Sequence, residues 1–393
     1  MLRKFTAKKI YTNKGNPLQD AVVITDDRGK IMSIDPLTDH DRASVEFLEG
    51  ILLPGFINAH CHLELSHMKG RVPTGTGLVK FIEGVVSQRD SSPDAILSAI
   101  EEADKEMYDE GIVAVGDICN RPDTFACKDQ SRLHYHSFVE MFDFWQDTLA
   151  EKTFSEYEKV YTQLKNKPGH FRSAVPHAPY SVSRTLFKLI NELNAETVTS
   201  ISIHNQETQA EEEMFRNKDG DFIRLFEGFG FAFDHFEATG KSSIYYALEN
   251  LDVRHRHLFV HNTLTKAPEV KTAGKLIRHC YWVSCPNANL YIENKLPDYQ
   301  VFLDTAAKVC LGTDSLTSNW QLSILEEIKT ICRYQSFVPQ EEIIRWATIN
   351  GAEALGIDDQ FGSLSQGSTP GLNLITTDKS GRIDKHSIVK RIF

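Results

Sequence analysis

Short apolar segments alternate with helical patterns through the middle of the chain. Eight of these segments have the length and composition of buried strands, and helix-like stretches such as 95–110 and 322–333 separate them. The predicted strands are 55–59, 112–118, 136–142, 173–176, 200–203, 258–260, 281–285 and 309–312. Eight parallel βα units predict an α/β protein with a TIM-type (β/α)₈ barrel.

The two ends of the chain carry a different pattern, in which short apolar runs are interrupted by turn residues. Asp26, Asp27 and Gly29 form such a break near the start, and Pro370 and Gly371 form one near the end. We expect both ends to pair into one small β-sandwich domain beside the barrel. The predicted boundaries are 1–54 and 358–393 for this domain and 55–357 for the barrel.

Polar residues that follow barrel strands gather at one face, which is where TIM barrels carry their chemistry. The first strand leads into His60 and His62, and alternate residues of a strand point to the same side. The fifth strand leads into His204, the sixth into His261 and the eighth into Asp314. Imidazole and carboxylate groups suit a divalent metal such as Zn²⁺ or Fe²⁺. These strand ends therefore indicate a metal centre.

Two other His-x-His pairs lie where predicted strands begin. They are His134 with His136 and His255 with His257. That face of a barrel is associated with stability, so we expect both pairs to be structural. Cys61, between the two inward histidines, is expected to point away and pack against the core.

Composition narrows the class of protein. The formal net charge is −11, and no cluster of Lys and Arg is large enough to attract nucleic acid or an anionic membrane surface. Residues 1–17 lack the apolar core of a secretory signal or anchor. The seven cysteines are scattered without a Cys-x-x-Cys pair. We therefore expect a cytoplasmic enzyme with reduced thiols, a small-molecule substrate and no membrane partner.

Seven segments resemble motifs of the amidohydrolase superfamily, in its deaminase-like branch. They are 54–62, 175–181, 204–207, 259–262, 285–289, 312–315 and 347–352, so the resemblance spans essentially the whole chain. It implies a metal-dependent hydrolase that acts on C–N bonds of heterocycles. It also implies that His60, His62, His204 and Asp314 are the metal ligands.

The fourth strand bears on the number of metal ions. Two-metal amidohydrolases usually bridge their ions with a carboxylated lysine at the end of this strand, whereas this sequence has Pro176 and His177 there. The resemblance therefore implies one divalent ion per chain, Zn²⁺ or Fe²⁺.

The resemblance also implies catalytic roles. Asp314 would accept a proton from the attacking water, His261 would orient that water, and Glu207 would donate a proton to a ring nitrogen of the substrate. Glu207 has an alternative interpretation, because it opens an acidic stretch that could begin a solvated helix. We expect Glu211 to Glu213 to form the solvent-exposed face of that helix.

Three segments narrow the range of possible substrates. Residues 62–66, 204–208 and 312–319 are similar to the aminodeoxyfutalosine deaminase subgroup of menaquinone biosynthesis, which converts 6-amino-6-deoxyfutalosine to futalosine. Adenosine-type relatives carry an acidic sugar contact and a tryptophan where this sequence has Val79 and Phe81.

Several residues near the strand ends are candidates for contact with substrate. A substrate carboxylate calls for an arginine, since guanidinium groups pair with carboxylates in bidentate fashion. The candidates are Glu64, His177, Glu207 and Asn289, with Arg71 or Arg184 for the carboxylate.

Two alternatives stay open at this level. One is another amidohydrolase, such as a guanine- or adenine-type deaminase, a chlorohydrolase or a cyclic-amide hydrolase. The other is a barrel that serves only as a scaffold, although all five strand-end groups are present. Assembly into a homo-oligomer is also compatible with the sequence.

Overall fold

Three β-sheets and fourteen α-helices make up the computed structural model, which describes residues 2–165 and 167–393. The strands are β1 Arg3–Ile10, β2 Ala21–Thr25, β3 Ile31–Pro36, β4 Glu46–Pro54, β5 Phe56–Cys61, β6 Ile112–Cys119, β7 His134–Met141, β8 His170–Pro176, β9 Ser200–Asn205, β10 Arg256–His261, β11 His279–Ser284, β12 Lys308–Leu311, β13 Leu372–Ile375 and β14 Val389–Arg391. The helices are α1 Leu78–Gln88, α2 Pro93–Asp109, α3 Phe125–Gln130, α4 Ala150–Gln163, α5 Arg184–Leu193, α6 Gln209–Asn217, α7 Asp221–Gly228, α8 Ser243–Asn250, α9 Ala267–Leu276, α10 Pro286–Glu293, α11 Tyr299–Asp304, α12 Ile324–Tyr334, α13 Gln340–Trp346 and α14 Ile349–Leu355.

All eight predicted central strands are present, as β5 to β12. They form two parallel sheets of four, in the orders β5-β6-β7-β8 and β9-β10-β11-β12. Most of their residues are buried, as expected for strands covered on both faces. The sheets meet at two seams, where His204 N donates to His177 O at 2.9 Å and Thr313 N donates to His60 O at 3.0 Å. The central region therefore has an α/β fold of the TIM-barrel type.

The seam between β12 and β5 brings two metal-ligand candidates together. A Cβ at Gly312 would lie 2.9 Å from the Cβ of His60, closer than real Cβ contacts come. Only glycine lets the eighth strand approach the first so closely. Asp314, two residues further on, consequently lies beside His60.

The two chain ends share one sheet, as the sequence indicates. Its strand order is β14-β13-β4-β1-β2-β3, with β13 antiparallel to β4, and its core includes Phe5, Val23, Leu52 and Leu372. β4 joins the two ends, because it pairs on one edge with the N-terminal β1 and on the other with the C-terminal β13. The chain ends therefore form one small β domain, and its closure into a sandwich stays a prediction. The domain boundaries stay a prediction.

Among the helices of residues 2–165 and 167–393, none has the length and apolar character needed to cross a membrane. All seven cysteines are free thiols, and Cys61 is fully buried.

Candidate active site and metal centre

Four predicted ligand side chains converge at the carboxyl ends of the central strands. His62 Nε2 lies 3.2 Å from His60 Nε2 and 3.3 Å from His204 Nε2. Asp314 Oδ1 lies 3.4 Å from His62 Nε2 and 3.6 Å from His60 Nε2. His62 thus lies close to each of the other three, at separations typical of neighbouring ligands that are each about 2.0–2.2 Å from one ion. The four side chains can therefore surround a single divalent ion.

Hydrogen bonds orient two of these ligands. His204 Nδ1 donates to His177 O at 2.9 Å, which leaves the lone pair of His204 on Nε2, facing the cluster. Ser318 Oγ donates to Asp314 Oδ2 at 2.6 Å, so Oδ1 stays free to bind an ion. Burial lowers the pKa of His62 to about 3, which keeps its imidazole neutral, as a ligand must be.

The ligating ends of the strands have unusual backbone geometry. Gln206, His261 and Asp314 have φ values of 47°, 75° and 56°, in the left-handed region that residues other than glycine rarely adopt. Such conformations cluster at functional sites, where the surrounding fold enforces them. Here they turn the chain sharply just after β9, β10 and β12.

Two further groups of possible ligands overlap the first. One combines His60 and His204 with His261, and the second adjoins them. Glu140, His177 and His204 also offer atoms close together, and Glu140 Oε1 lies 3.5 Å from His204 Nδ1. That nitrogen already donates its proton to a backbone carbonyl and has no lone pair to offer. The geometry therefore favours one ion over two.

Glu207 is buried beside the donor cluster, which consists of the ligand atoms of His60, His62, His204 and Asp314. Its side chain is 4% exposed, and its Oε1 lies 3.6 Å from His261 Nε2. Burial, with Asp314 nearby, raises the pKa of Glu207 well above its ordinary value. A raised pKa favours the protonated carboxyl group, which is the form that can serve as a general acid.

The acidic stretch after Glu207 is not a solvated face, contrary to expectation. Glu211 is fully buried, and its side-chain oxygens accept the backbone N–H groups of Gln206 at 3.0 Å and Glu207 at 2.9 Å. Glu212 is also buried, at 8% exposure. The turn between β9 and α6 explains the difference, because its buried backbone N–H groups at Gln206 and Glu207 need acceptors and Glu211 supplies them.

Asn289 orients His261 through a hydrogen bond. Its Oδ1 accepts a hydrogen bond from His261 Nδ1 at 2.8 Å, and its side chain is 2% exposed. Asn289 is not among the residues that line the cavity in front of the donor cluster, and its contact is with His261. Its predicted contact with substrate stays a prediction.

This central cavity opens in front of the metal-ligand candidates. Of the predicted site residues, those on its wall are His62, Glu64, His177, His204, Glu207, His261 and Asp314. Aromatic and aliphatic side chains form much of the remaining wall, including Phe81, Val85, Phe142, Phe144, Phe226 and Phe229. Ligand sites typically combine such apolar walls with a few placed polar groups.

The predicted arginines lie elsewhere. Arg71 is exposed and donates to Gln88 O at 3.1 Å, and Arg184 is exposed and paired with Glu249. The arginine on the cavity wall is Arg89, which follows α1. Neither Arg71 nor Arg184 lines this cavity, because the chain after β5 runs through a long loop and α1 before an arginine reaches it. Their contact with a substrate carboxylate stays a prediction.

Arg89 and Glu64 form a pair on that wall. Arg89 Nη2 donates to Glu64 Oε1 at 2.7 Å and to Asn120 Oδ1 at 3.1 Å. Glu64 Oε2 accepts the backbone N–H groups of Asn120 and Arg121 at 3.0 and 3.2 Å. Asn120 and Glu140 also line the cavity, and the strand-end rule could have found both, since they lie at the ends of β6 and β7.

Residues 51–390 match the amidohydrolase family, and the chain belongs to that family. It is an enzyme of the deaminase-like branch, a hydrolase that acts on C–N bonds other than peptide bonds. Its fold and its cluster of three histidines and one aspartate are those expected for this metal-dependent family.

Proteins similar to this chain include several deaminases. The chain is 28% identical over 370 residues to the aminodeoxyfutalosine deaminase of a Nitratiruptor species, covering 91% of this chain and 87% of that protein. It is 26% identical over 358 residues to an adenosine deaminase of Helicobacter pylori, covering 89% and 86%. The fold matches the crystal structure of Helicobacter pylori aminofutalosine deaminase in complex with methylthio-coformycin, with a TM-score of 0.77, 22% identity and coverage of 96% and 93%.

Proposed function

We propose that this enzyme removes the 6-amino group of an aminopurine nucleoside, and that its substrate is 6-amino-6-deoxyfutalosine, which it converts to futalosine and ammonia. The observation that carries the proposal is the placement of a buried carboxyl group, Glu207, on the same cavity wall as the donor cluster. Hydrolytic deamination needs an activated water and an acid that protonates the ring nitrogen next to the carbon that carries the amine.

His60, His62, His204 and Asp314 would hold one Zn²⁺ or Fe²⁺ ion. Such an ion, when bound, lowers the pKa of a water to about 7 and so makes a nucleophile available at neutral pH. Imidazole and carboxylate ligands suit either metal.

The chain's own residues move the protons. Asp314 accepts a proton from the attacking water, and Glu207 donates one to the ring nitrogen next to the carbon that carries the amine. His261 orients the water, since Asn289 fixes its ring. A C–O bond forms, the C–N bond to the amine breaks, and the amine leaves as ammonia after a second proton transfer. Each acid–base group typically contributes about 10²–10⁴-fold in rate.

Three observations support the choice of substrate. The segments after β5, β9 and β12 are similar to the aminodeoxyfutalosine deaminase subgroup, and a relative of that name covers most of the chain. Phe142, Phe144, Phe226 and Phe229 provide a surface for an aromatic substituent on the sugar. Arg89 donates only through Nη2 within the described residues, so its remaining N–H groups are available to a substrate carboxylate.

Ammonia release tests the proposal. Purified protein loaded with metal is assayed with aminodeoxyfutalosine, adenosine, S-adenosylhomocysteine and guanine in parallel. We expect strong selectivity for aminodeoxyfutalosine, loss of activity in Asp314→Asn, and a loss of about 10²–10⁴-fold in Glu207→Gln. Glu156→Gln, on the exposed face of α4, is the matched control.

The outcomes separate substrate from reaction class. Selectivity for adenosine would overturn the futalosine assignment and leave the deaminase standing. Absence of ammonia from all four compounds, with metal bound, would overturn the proposed substrate class. Guanine turnover would favour a guanine-type enzyme instead.

A further inference from the structure

One buried acidic group on the cavity wall has no part in the proposed chemistry. Glu140 lies near the end of β7 and is 3% exposed. Its Oε1 has no hydrogen-bond partner within residues 2–165 and 167–393. Its Oε2 is 3.5 Å from Asn120 Nδ2, at the limit for a hydrogen bond. Buried polar atoms are nearly always paired, so this carboxyl group has acceptor capacity that a ligand could use.

The neighbouring acid differs in this respect. Glu64 is matched by Arg89 and by two backbone N–H groups, and these contacts use both of its oxygens. Both oxygens of Glu64 are therefore engaged, whereas Glu140 Oε1 remains available as an acceptor for a sugar hydroxyl group.

The position of Glu140 relative to the donor cluster suits contact with the sugar that is attached to the purine base. Glu140 Oε1 lies 3.5 Å from His204 Nδ1, whereas the opposite ring nitrogen, Nε2, faces His62 in the cluster. Glu140 is thus one imidazole ring away from the place where the amine-bearing carbon would react. Glu207, the proposed acid, contacts His261 instead.

The side of the cavity formed by α1 is apolar. Its wall residues there are Leu78, Phe81, Ile82, Val85 and Val86. None of these five side chains offers an acceptor to a sugar hydroxyl group.

We propose that Glu140, assisted by Asn120, binds the hydroxyl groups of the nucleoside sugar. This inference rests on the proposed function, because it assumes a nucleoside in the central cavity. Glu140 is a substrate-binding residue in this account, and the acid–base steps do not pass through it. The rival role for Glu140 is purely structural, as a neighbour that holds His204.

Binding of two matched product-like nucleosides tests the proposal without turnover. Inosine and 2′,3′-dideoxyinosine differ only in the two sugar hydroxyls, and titration calorimetry on the metal-loaded protein gives their Kd values. We expect the wild-type protein to bind inosine about 10–100-fold more tightly. Glu140→Leu, which removes both acceptors, should bring the two Kd values close together. Glu140→Gln keeps one acceptor and should restore part of the difference.

Controls separate recognition from support of His204. Metal content is measured in every variant, and the exposed Glu156→Leu should retain the wild-type ratio of Kd values. Equal weakening of both nucleosides in Glu140→Leu and Glu140→Gln, with an unchanged ratio, would overturn the proposal in favour of the structural role. A wild-type ratio near one would overturn it as well.

Failure of the proposed function would give a different experimental result from failure of the Glu140 assignment. If the wild-type protein binds neither nucleoside, the nucleoside assignment fails and this inference fails with it. If the protein releases ammonia from a 6-aminopurine nucleoside but ignores the sugar hydroxyls, only the assignment of Glu140 is lost.

Discussion

Lys128 and Asp117 form an ion pair in the interior of the fold, with a distance of 2.5 Å and side chains that are 2% and 0% exposed. Lys128 comes from α3 and Asp117 from β6. Asp117 Oδ1 also accepts the backbone N–H of Leu63 at 2.8 Å, immediately after the metal-ligand candidate His62. Although burial opposes its charge, Asp117 raises the pKa of Lys128, which therefore stays charged. The pair fixes the backbone that carries His62.

Removing one member of this pair should destabilise the protein. Lys128→Met leaves Asp117 buried without a counter-charge, and we expect a loss of about 3–5 kcal/mol in the free energy of unfolding, measured by urea denaturation. The double variant Lys128→Met/Asp117→Asn should recover much of that loss, because Asn still accepts from Leu63 N without a buried charge. A single variant as stable as the wild type would contradict this account.

Asn289 should affect the rate more than metal binding. Asn289→Leu removes the acceptor that holds His261 Nδ1, so the ring loses its fixed orientation while the four ligand candidates keep theirs. We expect kcat to fall by about 10–100-fold, with metal content close to that of the wild type. Steady-state kinetics and elemental analysis of the same preparations check both parts. Loss of metal in parallel with activity would argue that His261 belongs to the ligand set.

Metal content should be about one ion per chain, given the single cluster formed by His60, His62, His204 and Asp314. His62→Ala should lose the ion, whereas Glu140→Gln should retain it, because Glu140 belongs only to the second group that lacks a free nitrogen on His204. Chelation should lower the melting temperature, since an ion that binds only the folded state stabilises it. Two ions per chain in elemental analysis, with one lost in Glu140→Gln, would show that the second group is a real site.

Local patterns in the sequence were sufficient for the strands and for the polar groups that follow them. His60 and His62 alternate on one strand, and His204, His261 and Asp314 each follow an apolar run, so the strand-end rule brings them together without tertiary information. The same rule fails for residues that reach the site through a helix or loop. Arg89 follows α1, and nothing in its local sequence distinguishes it from Arg71.

Other features depend on contacts that no local pattern encodes. Glu211 stands in a run of acids that is typical of a solvated helix, yet it is buried because the backbone N–H groups of Gln206 and Glu207 need its oxygens. Asn289 meets His261 across two neighbouring strand ends, so its partner follows only from the fold.

Glu211 should also make the stability of the protein depend on pH. Burial raises the pKa of Glu211 from its ordinary 4.5 to about 8, although two backbone N–H groups oppose the shift. Between these values the folded protein holds a proton that the unfolded chain releases. The contribution of Glu211 is therefore complete below pH 4.5 and is lost as the pH rises through about 8.

Glu211→Gln removes the titrating carboxyl group, so proton binding at this position no longer differs between the folded and unfolded states. Relative to Glu211→Gln, the wild type should lose free energy of unfolding as the pH rises across this window, by at most about 1.4 kcal/mol per pH unit. Urea denaturation of both proteins at several pH values measures the difference. Glu213→Gln, two residues along the same helix and half-buried, is the control and should follow the wild-type curve. Parallel curves for the wild type and Glu211→Gln would mean that Glu211 has the same pKa in the folded and unfolded states.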